Sequence, residues 1–333
     1  MRRFLLACAT LMALPLGASA DPVTLRFAFV GPGSETTWTS TLKPWLDAVN
    51  AEAKGALDIQ GYPDGALGRN SRQQVELILN GIVDIGFVLP GQTPGRFPDN
   101  EVLELPGIYK NLKESTFTFT RLVQSGKLKG FDDFVVIGSV VGVPASIHTK
   151  PQVMSLADLK GKKLRAQNSI DAQTLRTLGA ATVLLPTPET AEAIARGTID
   201  GTALQIQALV DFGVARVTNY SYMADLTGAS LMVLMTKQRF DGLPKAGQEA
   251  IRKFSGEWFA ERYVTAVAAE NERQLKQFMA DPKRKVTFPS EAEQQQLAGV
   301  YQTTVDKWAG DNPRHAELLA AARAEIANIR AGK

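Results

Sequence analysis

Few residues in this chain carry chemistry, and the best placed of them is a cation. Gly161-Lys162-Lys163-Leu164-Arg165-Ala166-Gln167 reads as a turn followed by a strand from Lys163 to Gln167. Alternation along a strand puts Leu164 and Ala166 on one face, with Arg165 and Gln167 on the other. Ser155-Leu156-Ala157-Asp158 stands upstream as a capping signal for a helical turn. An arginine at the C-terminal end of a strand, just before a helix, occupies the place where open α/β sheets hold their ligands. Its planar fork gives two parallel hydrogen bonds to a carboxylate. Most strand-end arginines are solvated or paired on the surface, so position alone leaves both readings open.

The residues that serve catalysis are sparse. His148 and His315 are the only histidines, and neither stands at metal-ligand spacing from another histidine, a cysteine or a carboxylate. No G-x-S-x-G nucleophile elbow occurs. Gly31-Pro32-Gly33-Ser34 begins like a phosphate loop but lacks the later glycine and lysine, and reads more simply as a strand-to-helix turn. A carboxylate pair for glycoside hydrolysis leaves no signature in sequence, because only separation in space defines it. The sequence calls for no metal and no cofactor.

The N-terminus carries an export signal. Arg2 and Arg3 precede an apolar run from Phe4 to Leu16, too short to span a bilayer, and Ala18-Ser19-Ala20 is a cleavage site. The mature chain is expected to begin at Asp21. The single cysteine, Cys8, falls in the segment removed, and too early in it for lipidation, which excludes disulfides and thiolate chemistry. Without Arg2 and Arg3 the formal net charge of +3 falls to +1. Nothing in that balance calls for nucleic acid or an anionic membrane surface. The expectation is an exported globular chain, held together by packing alone and monomeric.

Two segments echo each other. Glu76…Gly81…Asp84 and Glu192…Gly197…Asp200 share the frame E-x4-G-x2-D. Each reads as a helix end, a left-handed glycine cap and a following strand. The elements around them agree. In the first half, a strand at Val23–Val30 leads to a helix at Thr37–Lys54, a strand at Leu57–Tyr62, a helix at Ser71–Asn80 and a strand at Asp84–Leu89. In the second, a strand at Lys163–Gln167 leads to a helix at Ile170–Leu178, a strand at Thr182–Leu185, a helix at Pro188–Arg196 and a strand at Asp200–Gln205. Strands alternating with helices imply mainly parallel sheets, hence two α/β lobes of like topology. The β-branched runs Phe134–Val143 and Ala229–Thr236 are long enough to cross between the lobes and form a hinge. The remainder is helical: an apolar periodicity from Lys245 to Met279, a capping box at Ser290-Glu291-Ala292-Glu293, and a last helix opened by Asn312-Pro313.

Several motifs together resemble the solute-binding proteins of tripartite ATP-independent periplasmic (TRAP) transporters, the DctP-type family. They are Leu67-Gly68 before a helix, Glu76…Gly81…Asp84, Leu105-Pro106, Asp158-Leu159-Lys160-Gly161-x-Lys163-x-Arg165, Pro188…Gly197…Asp200-Gly201, and Leu243-Pro244 before the long helix. The resemblance spans almost the whole mature chain. It implies a two-lobed periplasmic binding protein fold, class II-like, with a long helix spanning both lobes. The lobes fall at 21–141 with 231–280, and at 142–230, with C-terminal helices at 281–333. It also implies a periplasmic receptor, not an enzyme, that captures an organic acid and delivers it to a sodium-coupled permease of small and large membrane subunits. Arg165 falls on the family's carboxylate-binding arginine.

Members that bind hydroxylated or doubly charged acids place polar side chains in four other pocket stretches. Here the matching positions read Val30, Leu89, Ala145 and Leu204, and Ala145 stands near a second arginine of some members. Trp38 is either an aromatic wall of the pocket or part of the first helix's core. Gln167 and Gln205 are neutral hydrogen-bonding candidates. One cation within apolar walls favours a single carboxylate on a hydrophobic body, because an unpaired hydroxyl or second charge would be desolvated without compensation. The expected ligand is an aromatic or branched monocarboxylate, 2-oxo and 2-hydroxy acids included. A C4-dicarboxylate receptor, a receptor for another permease class and a secreted enzyme on this scaffold are the alternatives.

Overall fold

The alternating strands and helices close into two sheets. A computed structural model describes residues 21–333; the export signal and its cleavage site at 1–20 lie outside the described residues. The first sheet holds β1 (Val23–Ala28), β2 (Leu57–Tyr62), β3 (Ile85–Val88), β4 (Phe134–Val141) and β10 (Ser230–Thr236), in the order β2-β1-β3-β10-β4. The second holds β5 (Ser146–Thr149), β6 (Lys163–Ala166), β7 (Ala181–Leu184), β8 (Gly201–Leu204), β9 (Tyr220–Tyr222) and β11 (Lys285–Thr287), in the order β11-β9-β5-β8-β6-β7.

The echo in sequence is an echo in space. β1 pairs in parallel with β2 and β3, and β6 pairs in parallel with β7 and β8. The connecting helices are α1 (Lys43–Glu52) and α2 (Gln74–Leu79) in the first unit, α4 (Ser169–Thr177) and α5 (Thr190–Ala195) in the second. Gly81 and Gly197 both adopt left-handed backbone, at φ 66° and 73°. The aspartate that follows each does the same job. Asp84 accepts the N–H of Arg26 at 2.8 Å and returns its own N–H to the Arg26 carbonyl at 3.0 Å. Asp200 accepts the N–H of Lys163 at 2.8 Å and returns its N–H to the Lys163 carbonyl at 2.7 Å. Each clamp fixes the third strand against the first, so β6 enters its sheet in a set register with Arg165 two residues on.

Each parallel unit is completed by one antiparallel strand, β10 beside β3 and β5 beside β8. These two come from the lobe crossings. The chain passes at 142–145 from β4 to β5, and at 223–229 from β9 back to β10. The two passages hydrogen-bond to each other: Gly142 donates to Ala229 O at 2.8 Å, Ala145 to Thr227 O at 2.9 Å, and Leu226 to Ala145 O at 2.8 Å.

The helix expected over Thr37–Lys54 forms as a π-helical turn, Trp38–Leu42, that runs into α1. Thr39 and Ser40 hydroxyls bond back to the carbonyls of Glu35 and Thr36, and Pro44 has no N–H to give to Ser40, so the register widens there. α3 (Leu112–Gln124) covers β4, α6 (Ile206–Asp211) follows β8, and α7 (Lys237–Asp241) follows β10. The periodicity from Lys245 to Met279 is two helices rather than one, α8 (Lys245–Lys253) and α9 (Glu257–Ala280). They part at Gly256, φ 64°, where a side chain would strike the Gln124 amide. α9 packs on α3 and β4 of one lobe and on α6 and β11 of the other. It buries Phe259, Tyr263 and Val267 in the first core and Phe278 in the second. α10 (Glu291–Gly310), opened by a complete capping box at Ser290 and Glu293, lies on α4. α11 (Pro313–Arg330) lies on α3, where Arg330 reaches Glu114 with two hydrogen bonds of 2.9 and 2.8 Å.

The two clamps are unequal, which gives a test. Asp84 is nearly buried and also holds Arg239 at 2.6 Å and Arg26 at 3.5 Å, whereas Asp200 has no arginine partner among the described residues. Asp84→Ala is expected to lower stability by about 2 kcal/mol or more and Asp200→Ala by about 1 kcal/mol. Thermal unfolding of the two variants checks this, and equal losses would contradict the assignment.

Candidate ligand-binding site

Leu164 and Ala166 enter the core of the second lobe, and Arg165 points the other way, as strand alternation requires. It is nevertheless wholly buried, at 0% exposure. Its guanidinium is held by the strands on either side of β6. Nε donates to Leu185 O at 2.9 Å, just beyond β7; Nη1 donates to Ala203 O at 3.3 Å in β8; Nη2 donates to Thr187 Oγ1 at 2.9 Å. A guanidinium has five N–H donors. Three are used, which leaves one N–H on each terminal nitrogen. No carboxylate forms an ion pair with Arg165 among the described residues. Burial lowers its pKa to about 10, Asp171 opposing that and Arg72 adding to it. The side chain remains charged at neutral pH.

Around it lies a void of about 10 Å³, lined by Leu89, Gln92, Glu104, Gln167, Asn168 and Ser230 among others. The α4 start places two of these donors. Asn168 caps the helix by accepting Asp171 N at 2.8 Å, while Asp171 accepts Gln167 N at 3.1 Å. Gln167 Nε2 and Asn168 Nδ2 are buried donors with no partner among the described residues. Glu104 sits opposite, its Oε1 taken by Ser230 N at 3.2 Å and by the Ser230 hydroxyl. Burial pushes its pKa up to about 8, which keeps it neutral and leaves the charge of Arg165 uncancelled.

The void shares Leu89, Gln167 and Ala229 with a larger cavity of about 90 Å³. On this measure one water takes roughly 10–15 Å³, so the cavity has room for a small organic molecule. Phe29, Val30, Phe87 and Leu89, from the C-terminal ends of β1 and β3, form one wall. Gln167, Leu204 and Gln205, at the ends of β6 and β8, form the facing one, with Val143, Phe212 and Tyr263 closing the rest. Strand ends of both lobes converge here, as they do in open α/β sheets.

Of the residues singled out in sequence, Val30, Leu89, Gln167, Leu204 and Gln205 line this cavity, and Arg165 borders the adjoining void. Two do not reach it. Trp38 stacks on the far side of Phe29, ring centroids 5.3 Å apart, in the space over Gly61 of β2. It is core, one layer behind the wall. Ala145 ends the crossing just before β5, paired with Thr227 and Leu226 of the other crossing and wholly buried in the second lobe's core; Val143, two residues earlier, is the crossing residue that faces the cavity. Sequence reading missed Glu35, Thr37, Gln207, Phe212 and Tyr263. Glu35 precedes the first helical turn after β1 and accepts Trp38 N, as Asn168 accepts Asp171 N after β6, so the repeat offered a signal for it. Tyr263, on a helix distant in sequence, had no such signal.

His148 is structural. Nδ1 bonds Ser221 Oγ at 2.8 Å and Nε2 bonds Leu204 O at 3.1 Å, and burial lowers its pKa to about 3. Among the described residues no cluster of His, Cys, Asp and Glu could hold a metal ion, and no helix is long and apolar enough to cross a membrane.

A family profile for bacterial extracellular solute-binding proteins of family 7, DctP, matches residues 28–311. This chain belongs to that family. The C4-dicarboxylate-binding periplasmic protein DctP of Rhodobacter capsulatus is 24% identical over 283 residues, 83% of each chain. A TRAP solute-binding protein from Rhodoferax ferrireducens T118, solved with copurified benzoate, is 29% identical with a TM-score of 0.83, over 92% of this chain and 98% of that one. A marine metagenome TRAP solute-binding protein, described as specific for aromatic acids, superposes with a TM-score of 0.86 at 24% identity, over 93% of this chain and 99% of that one. The DctP fold accounts for both lobes, the long α9 and the C-terminal helices.

The neutrality of Glu104 is testable through linkage. Its folded pKa lies above the ordinary carboxylate value, so the stability it allows is full at mildly acid pH and is lost as pH rises toward and through about 8. Glu104→Gln keeps the shape and removes the titration. Between pH 5 and 9 the wild type is expected to lose stability faster than the variant, by a few kcal/mol at about 1.4 per unit. Parallel pH profiles would contradict it.

Proposed function

We propose that this DctP-family protein is the periplasmic receptor of a TRAP transporter and captures a small organic monocarboxylate with a hydrophobic body, aromatic or branched. The acid's head meets the two remaining N–H groups of Arg165 and the amide donors of Gln167 and Asn168. Its body fills the apolar cavity between the lobes. The observation that carries this reading is the buried guanidinium, which has no carboxylate partner among the described residues. Burying an unpaired charge is costly, and a ligand carboxylate supplies the missing countercharge where water is excluded. The benzoate carried by the Rhodoferax relative supports an aromatic acid. The lobes, 21–141 with 231–280 and 142–230, close about the paired crossings. The loaded receptor then hands its acid to the small and large membrane subunits.

Thermal shift with a panel of organic acids tests the reading, since a ligand at 100 times its Kd adds about 2.7 kcal/mol. Benzoate, phenylacetate and branched 2-oxo acids are expected to raise the Tm. Arg165→Ala is expected to weaken them by about a hundredfold or more, and Arg165→Lys by less, because a lysine keeps the charge and loses the fork. Tight binding of succinate or malate with none of the monocarboxylates would sink the proposed ligand class.

A further inference from the structure

The cavity contains a second ionisable group, at the end away from Arg165. Glu35 lines the cavity and not the small void, while Arg165 borders the void and not the cavity. Glu35 is 6% exposed. Its Oε1 accepts Thr37 Oγ1 at 2.9 Å and Gln207 Nε2 at 3.5 Å, and its Oε2 accepts Trp38 N at 3.1 Å. Every partner is neutral, and no cation pairs with it among the described residues. Thr37 and Trp38 lie on its own turn, whereas Gln207 reaches it from α6 of the other lobe. The titratable groups that face it are Asp211, also on α6, and Tyr263 on α9.

We propose that Glu35 sets the charge selectivity of the site: it admits a neutral hydrogen-bonding group at the tail of the ligand and rejects a second carboxylate there. This rests on the reading of the cavity as an acid site anchored at Arg165. Oε2 has one accepting position left beside the Trp38 N–H, and on protonation that position becomes a donor. In either state it pairs with a hydroxyl. A ligand carboxylate has no proton to give, so it meets an ionised Glu35 as a like charge in a site that excludes water. Burial and the neighbouring Asp211 already push the Glu35 pKa up to about 7, so the site resists even one negative charge at this end. Gln207 and Glu35 come from different lobes, so any tail placed between them is read only when the lobes are together.

The test uses two ligands alike in ring and head group, 3-hydroxybenzoate and benzene-1,3-dicarboxylate, titrated calorimetrically at pH 8 into the wild type, Glu35→Gln, Glu35→Ala and Arg165→Ala. The wild type is expected to prefer 3-hydroxybenzoate. In Glu35→Gln the dicarboxylate is expected to gain about tenfold or more relative to the hydroxy acid. Glu35→Ala is expected to move the ratio the same way, and serves should the glutamine variant fail to fold. An unchanged ratio, in a protein whose binding is lost in Arg165→Ala, would overturn the role of Glu35 alone. Binding that survives Arg165→Ala, or no binding of either acid to the wild type, would overturn the acid-site reading and this inference with it.

Discussion

A guanidinium removed from water and held only by neutral acceptors is the constraint on which the site depends. Leu185 O, Ala203 O and Thr187 Oγ1 fix the plane of Arg165 from both neighbouring strands without neutralising it. In water such a group would be screened and would bind an acid weakly. Here the walls have a low dielectric, so the charge is effective, and a carboxylate entering the site is the natural way to compensate it. The acids near by form no ion pair with it, although the charge of Asp171 reaches it. Glu104 is kept neutral by burial, and Asp171 is turned toward the Gln167 backbone.

The fold delivers that geometry through a repeated unit. In each lobe a left-handed glycine releases the chain from a helix, and an aspartate three residues on clips the third strand to the first. The strand ends are thereby aimed at the same gap from two sides. Crossings that run beside each other between the sheets, and one helix packed on both, hold the halves together. The two copies have diverged in what they present. The β1 side offers Phe29 and Val30 with Glu35 behind, and the β6 side offers Arg165, Gln167 and the capped start of α4.

Much of this is legible in the sequence, because it rests on local rules. The E-x4-G-x2-D frame, the capping box at Ser290 and the strand phase of Arg165 are set by residues within a few positions of one another. What escaped depends on residues far apart. The break between α8 and α9 falls at Gly256, whose left-handed backbone is tied by its N–H to Ile137 O at 3.0 Å, a contact between distant segments. Trp38 looked equally suited to wall or core, and the room above Gly61 draws it into the core. Ala145 was misplaced because the chain crosses from one sheet to the other between β4 and β5, so a step of two residues along the crossing exchanges cavity for interior. Tyr263 reaches the cavity from α9, more than thirty residues beyond Leu231, the nearest strand residue of the first sheet in the cavity wall, and no spacing rule reaches that distance.

The most direct measurement is a crystal structure of the mature protein with a bound monocarboxylate. The account predicts both carboxylate oxygens within hydrogen-bonding distance of Nη1 and Nη2 of Arg165, the guanidinium still held by Leu185, Ala203 and Thr187, and the ligand's body against Phe29, Leu89 and Leu204. An acid bound elsewhere, with Arg165 turned to solvent or paired with a carboxylate of the protein itself, would contradict it.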